Sequence, residues 1–183
     1  MRVISGDARG RALKAVPGTG TRPTTDKVKE AVFSMIGPYF DGGQVLDLFG
    51  GTGGLAIEAL SRGMERAVLT DTDKKAIDTI RQNLQVTGFA DRAEVYRNDA
   101  SRALKALAKR EVKFDLVFLD PPYKLKVIGG LLEQLMQDEL LAEGATVVVE
   151  HDAEDRYEDP VGELAPLRRA EYGDTAITIF RKG

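Results

Sequence analysis

The 183-residue chain has no cysteine, which excludes disulfides, zinc–thiolate centres and cysteine nucleophiles. Histidine occurs once, at 151. A single histidine with no nucleophile beside it is more often a structural or surface group than a catalytic one. No apolar run approaches the roughly 20 residues of a membrane span, and Met1 to Gly20 carries no apolar signal core. The expectation is a cytoplasmic protein with no membrane partner and no metal. Repeats and low-complexity tracts are also missing. The length suits one domain over residues 1–183, large enough to bury a core without staples.

The net charge of −3 conceals an asymmetry. Residues 1–30 carry seven basic side chains against three acidic ones, so a basic start precedes an acidic body. Such a segment is either an electrostatic footprint for a polyanion or a solvated arm. Val3-Ile4 and Ala12-Leu13 flank a Gly-rich stretch and suggest a small hairpin. Residues 1–25 are thus expected to form a basic hairpin or arm, and 26–183 a helix followed by the core. Pro17 to Pro23 is a loop, and Thr25 or Asp26 is a plausible cap for a helix with Val28, Ala31, Val32 and Met35 or Ile36 inward.

From Gln44 onward, strand-like and helix-like segments alternate. Val45–Phe49, Ala67–Thr70, Ala93–Tyr96, Phe114–Leu119 and Thr146–Val149 are short, nearly continuous apolar runs, as suits strands buried on both faces of a parallel sheet. Helical spacing appears between them, at Leu55–Leu60, Lys74–Val86, around Ala103, Leu104 and Leu107, and from Ile128 to Met136. This pattern predicts a Rossmann-like α/β fold with a mostly parallel, doubly wound sheet. Leu167–Tyr172 and Thr175–Arg181, joined by Gly173-Asp174, predict an antiparallel hairpin at the end, with no further helix.

Four elements carry the chemistry. Asp47-Leu48-Phe49-Gly50-Gly51-Thr52-Gly53-Gly54 joins a strand to a helix, where glycines allow a tight turn and close approach of a ligand. Its fit to a dinucleotide-binding Gly-x-Gly-x-x-Gly is poor, because Gly51 and Gly53 are followed by Ala56. Asp71, with Thr72, ends the second strand, where a carboxylate can bind ribose hydroxyls of a nicotinamide or a methionine-derived cofactor alike. Asp73 reads as a helix cap. Asn98-Asp99 follows the third strand, either to read an adenine amino group or to cap the next helix.

The decisive element is Asp120-Pro121-Pro122-Tyr123, directly after the fourth strand. Two prolines remove two backbone donors and hold the chain rigid. The Asp120 carboxylate and Pro121 carbonyl can accept both hydrogens of an NH2 group whose lone pair is delocalised into a base ring. That geometry aims the lone pair at a sulfonium methyl, and positioning with local electrostatics supplies most of the catalysis. Tyr123 offers a stacking face for the base. The same logic serves a guanine amine, an adenine amine or a glutamine amide. A non-catalytic RNA-binding factor and a dehydrogenase are the readings from other classes.

These motifs resemble the amine-modifying class I methyltransferases. Arg2-Val3-Ile4-Ser5-Gly6, Arg9-Gly10-Arg11 and the segment Arg22 to Phe33 are similar to the bacterial RsmD family. The resemblance covers essentially the whole chain. It implies S-adenosyl-L-methionine as cofactor and the N2 amine of a guanine in small-subunit (16S) rRNA, offered within a ribosomal particle, as acceptor. Asp120, Pro121 and Tyr123 would be catalytic. Asp47, Gly50, Gly51, Gly53, Asp71, Thr72, Asn98 and Asp99 would hold the cofactor. Arg9, Arg11, Arg22, Thr24, Lys27 and Pro122 would meet the RNA or close the cleft.

Overall fold

The run Phe114–Leu119 lies in the middle of a seven-stranded sheet. Its Leu116 and Phe118 enter one hydrophobic cluster, while Val117 and Leu119 enter another on the opposite face. Apolar layers on both sides are why the run shows no polar alternation. The computed structural model describes residues 1–18, 24–122 and 125–183.

The strands are β1 (Gln44–Asp47), β2 (Arg66–Asp71), β3 (Ala93–Arg97), β4 (Phe114–Leu119), β5 (Leu141–Asp152), β6 (Leu164–Tyr172) and β7 (Thr175–Lys182). The helices are α1 (Asp26–Ile36), α2 (Gly54–Ser61), α3 (Lys74–Thr87), α4 (Ala100–Ala108) and α5 (Ile128–Gln137). The sheet order is β3-β2-β1-β4-β5-β7-β6. The first five strands run parallel, and β7 is antiparallel to both β5 and β6. The expected terminal hairpin forms, but its second strand inserts between the first and β5. Helices α1, α2 and α3 pack on one face, α4 and α5 on the other. Strand order reverses between β1 and β4, so their carboxyl ends open a crevice of the kind that binds ligands in such sheets.

The predicted N-terminal hairpin is present in minimal form. Arg2 bridges Ala12, with Val3 N–H on Arg11 O and Gly10 N–H on Val3 O, each at 2.9 Å. It is bound to the carboxyl end of α2. Asp7 N–H donates to Ser61 O at 2.8 Å, and Ala8 N–H to Ser61 Oγ at 2.9 Å. The N–H groups of Ile4 and Ser5 donate to the fully buried Glu58 carboxylate at 2.9 and 3.1 Å. Glu58 also holds Arg62 Nε at 2.7 Å and Lys29 Nζ at 3.3 Å.

Lys29 therefore departs from the expected inward face of α1. Its side chain is buried with Val32 and Phe33, whereas Val28, Ala31, Met35 and Ile36 are only half-buried. The reason is Glu58, whose buried charge needs cations; burial in turn pulls the Lys29 ammonium below its ordinary range, against the pull of Glu58 and Asp26. The predicted loop Pro17–Pro23 lies largely outside the described residues.

Gly6 sets the fit of the hairpin. Its φ is +88°, and a Cβ there would sit 1.8 Å from the Ser61 carbonyl oxygen. Gly6→Ala is expected to cost about 2–4 kcal/mol in urea unfolding, from left-handed strain plus backbone overlap. Gly10→Ala, at φ +86° with open space around it, carries the strain alone and should cost about 1–2 kcal/mol. Equal losses at both positions would show that the contact with α2 contributes nothing.

Candidate active site

β1 ends at Asp47, which is buried and accepts the Phe49 N–H at 3.1 Å. The glycines that follow have separate duties. Gly50 N–H donates to Thr70 O at 2.8 Å, and a Cβ there would press on Ile80 at 2.7 Å, so Gly50 lets the loop lie against β2 and α3. Gly51 has φ +58° with open space toward the cleft, and its N–H donates to Asp71 Oδ2 at 2.9 Å. Gly53, at φ +82°, turns the chain into α2 and does not line the cleft.

Asp71 at the end of β2 accepts the N–H groups of Gly51 and Asp73, both at 2.9 Å. A carboxylate has lone pairs beyond those two, enough for a ribose diol. Asp73 caps α3 through Lys75 N–H at 3.0 Å. Asp99 caps α4 through Ser101 and Arg102 N–H at 3.3 and 3.2 Å, and Asn98 Oδ1 accepts the Asp99 N–H at 2.9 Å. Capping thus occupies Asp99 here, and both residues still line the cleft with Thr72.

Asp120 follows β4 and is half-buried, with Pro121 buried behind it and Pro122 exposed. Pro122 O accepts the Leu125 N–H at 2.9 Å at the rim of the cleft. Tyr123 and Arg22 lie outside the described residues. Leu119 pairs with Val149, so the next residues in register are Asp120 and Glu150, whose carboxyl groups lie within hydrogen-bonding reach of each other.

These elements surround a cleft of about 1140 Å³ at the carboxyl ends of β1, β2, β4 and β5. Of the expected site residues, Asp47, Gly50, Gly51, Asp71, Thr72, Asn98, Asp99, Asp120, Pro121, Pro122 and Thr24 line it. Arg9 and Arg11 are exposed on the hairpin and Lys27 on α1, away from the lining. Glu150, Lys29, Lys126, Gln134 and Tyr172 line it without having been singled out in the sequence. Glu150 had one signal: it follows the fifth apolar run as Asp120 follows the fourth.

Among the described residues, the two lysines that line the cleft are paired with other acids, Lys29 with Glu58 and Lys126 with Asp155, and no cation acts on Asp47 or Asp120. Burial, then Asp71 and Glu150, push Asp47 up to about 7, against the Phe49 N–H. Burial, with the hydrogen bond and charge of Glu150 and the charge of Asp47, pushes Asp120 well above the usual carboxylate range. Acids crowded like this favour a cationic ligand. An S-adenosylmethionine molecule, with its sulfonium and ammonium groups, fits this set. A nicotinamide dinucleotide would bring a pyrophosphate toward the same carboxylates. Among the described residues no cluster suited to a metal ion occurs, and no helix is long and apolar enough to cross a membrane.

His151 points elsewhere. It is buried, its Nδ1 lies 2.8 Å from Asp152 O and its Nε2 2.7 Å from Thr178 Oγ1. With a carbonyl as partner, Nδ1 carries the proton and Nε2 accepts from the threonine hydroxyl. Burial lowers the ring's proton affinity. It is a structural histidine.

The fold and this set of residues define a class I, S-adenosylmethionine-dependent methyltransferase. The chain belongs to the family described as "Conserved hypothetical protein 95", whose sequence profile matches residues 1–181, and which is the RsmD family. The Bacillus subtilis chain YlbH is 54% identical over 182 residues, spanning 100% of this chain and 99% of that one. The Escherichia coli K12 "Ribosomal RNA small subunit methyltransferase D" is 35% identical, with coverage of 100% and 90%. A solved Escherichia coli chain, yhhF, superposes with a TM-score of 0.86 at 31% identity, covering 100% of this chain and 97% of the other.

Proposed function

We propose that this enzyme methylates the exocyclic N2 amine of a guanine in small-subunit (16S) ribosomal RNA, offered within a ribosomal particle in the cytoplasm. The observation that carries the amine chemistry is the Asp120-Pro121 corner at the switch point between β1 and β4, opening on a cleft wide enough for a cofactor and a base together. The choice of RNA is supported by the name of the Escherichia coli relative and by the resemblance of residues 22–33 to the same family.

Asp71 would hold the ribose, Thr72, Asn98 and Asp99 the adenine, and Asp47 with Gly51 the amino-acid end. Gly50 and Gly53 shape that loop rather than touch the ligand. Bound there, the cofactor supplies a methyl carbon activated by positive sulfur. Asp120 and the Pro121 carbonyl accept the two amine hydrogens and fix the direction of the lone pair. Tyr123 and Pro122 offer apolar faces to the base. Thr24 and the start of α1 cover the cleft from the other side.

The test is transfer of labelled methyl to undermethylated small-subunit rRNA, free and in particles, with the product nucleosides identified by mass spectrometry. N2-methylguanosine is the expected product. A methylated adenosine would overturn the choice of base, and no transfer to any RNA despite bound cofactor would overturn the substrate.

Arg9 and Arg11 project from the hairpin and would contact phosphates. Neutralising both to Gln should weaken RNA binding and lower the slope of log affinity against log salt by about 1–2. An unchanged slope would remove them from the interface.

A further inference from the structure

The β4–β5 register places two carboxyl groups side by side in a place that cannot easily hold two negative charges. Asp120 and Glu150 follow the paired Leu119 and Val149, and their carboxyl groups lie within hydrogen-bonding reach at the floor of the cleft. Behind them is a cavity of about 10 Å³, walled by Val32, Leu55, Phe118, Val148 and Ile177. That space has room for one water at most and is almost wholly apolar, with Thr24 at its edge, so it offers the pair little solvation from that side.

Cations do not fill the gap among the described residues. Lys29 of α1 is committed to Glu58 at 3.3 Å, Lys126 is paired with Asp155 at 2.9 Å, and Met1 lines the cleft at the glycine-loop side, its thioether beside Thr52 and Gly54. The other ionisable groups around the pair are Asp47 of β1, Asp71 of β2 and Tyr172 of β6, while β7 presents Ile177. The groups that act on Asp120 are acids.

We propose that Glu150 is a positioning residue of methyl transfer, which shares one proton with Asp120 and so makes Asp120 the acceptor for the hydrogen that leaves the amine. The inference rests on the amine-methylation reading above. A positive ligand in the cleft displaces the shared proton to solvent and leaves both carboxylates ionised. The amine lone pair then forms the C–N bond, the C–S electron pair passes to sulfur, and one N–H proton moves into the Asp120–Glu150 hydrogen bond. The products are a secondary amine, a neutral thioether and a pair again holding one proton. A lone aspartate would be a weaker base for this step.

Two measurements on Glu150→Gln test it; the amide keeps the size and the hydrogen bond but cannot share a proton. Calorimetry of S-adenosylmethionine binding in buffers of different ionisation enthalpy should show proton release near neutral pH in the wild type, at least halved in E150Q, with Kd changed about three-fold or less. Asp47→Asn, run in parallel, separates the proton that Asp47 contributes. In methyl transfer, E150Q should lower kcat about ten-fold with KM for RNA unchanged. Its acidic limb should move at least one pH unit down, and Glu150→Asp should restore part of the rate.

Equal proton release in wild type and E150Q would overturn the shared proton. A release difference with superimposable pH–rate profiles would overturn its role in transfer. No RNA methylation by the wild type, with the release difference intact, would strike the proposed function and the transfer step but not the pair.

Discussion

Asp120→Ala is expected to reduce single-turnover methyl transfer by about 10²–10³-fold, as loss of a preorganised group at the reacting atom does. Binding of S-adenosylhomocysteine, measured by calorimetry, should stay within several-fold of wild type. The dissociation follows from position. Asp120 sits at the end of β4 beside Glu150, whereas the proposed ribose and adenine contacts come from the ends of β2 and β3. Folding should survive, because the substitution removes a carboxyl that burial and Glu150 already push toward its neutral form. Activity near wild type would mean that another group receives the amine.

Asp47→Asn should stabilise the ligand-free protein and weaken cofactor binding. Asp47 rises from its ordinary 3.8 to about 7 in the folded chain. A carboxyl raised on folding contributes stability that is fully present below pH 4 and is lost as pH rises through about 7. At neutral pH the shift corresponds to as much as about 4 kcal/mol, and half of that would raise the melting temperature by about 4–8 °C. Asparagine removes the penalty, so the melting curve of the variant should depend less on pH between 4 and 7. It also removes a negative charge proposed to face the cofactor's amino-acid end, and affinity should fall at least about ten-fold. A variant that is no more stable than wild type at pH 7 would show that Asp47 is solvated or paired in the folded state. This is the exchange of stability for function expected where charge is held in a buried site.

Much of the scaffold was legible because it rests on short-range physics. The runs Val45–Phe49 and Phe114–Leu119 read as strands since both sheet faces are covered by helices. Asp73 read as a cap, and Thr25 or Asp26 as another, because a short oxygen-bearing side chain just before a helix satisfies a free N–H; of the latter two the structure uses Thr25. The Asp120-Pro121-Pro122 corner read as chemistry because few other needs call for that order of residues. The glycine loop was legible as a loop but not in its division of labour. That Gly50 packs on Ile80 while Gly51 faces the cleft depends on which neighbour each Cβ position meets.

Other features depended on partners far along the chain. Lys29 looked like one more charge of a basic segment. It is buried because Glu58, 29 residues later, is fully buried beside it and also binds the N–H groups of Ile4 and Ser5. The position of β7 between β5 and β6 is a choice between two ways of pairing the same hairpin, and local propensity is equal for both.

The sequence by itself determined the class of sheet, the order of its elements and the place of the motif on which the proposed amine chemistry rests, since periodicity, capping and proline geometry act over a few residues. Only the tertiary structure decided which carboxylates meet. Strand register set Asp120 against Glu150, and the convergence of strand ends set Asp47 and Asp71 near them. Charge repulsion among carboxylates held together at the strand ends is a property of that meeting, and it turns four separate acidic residues into a site that calls for a cation.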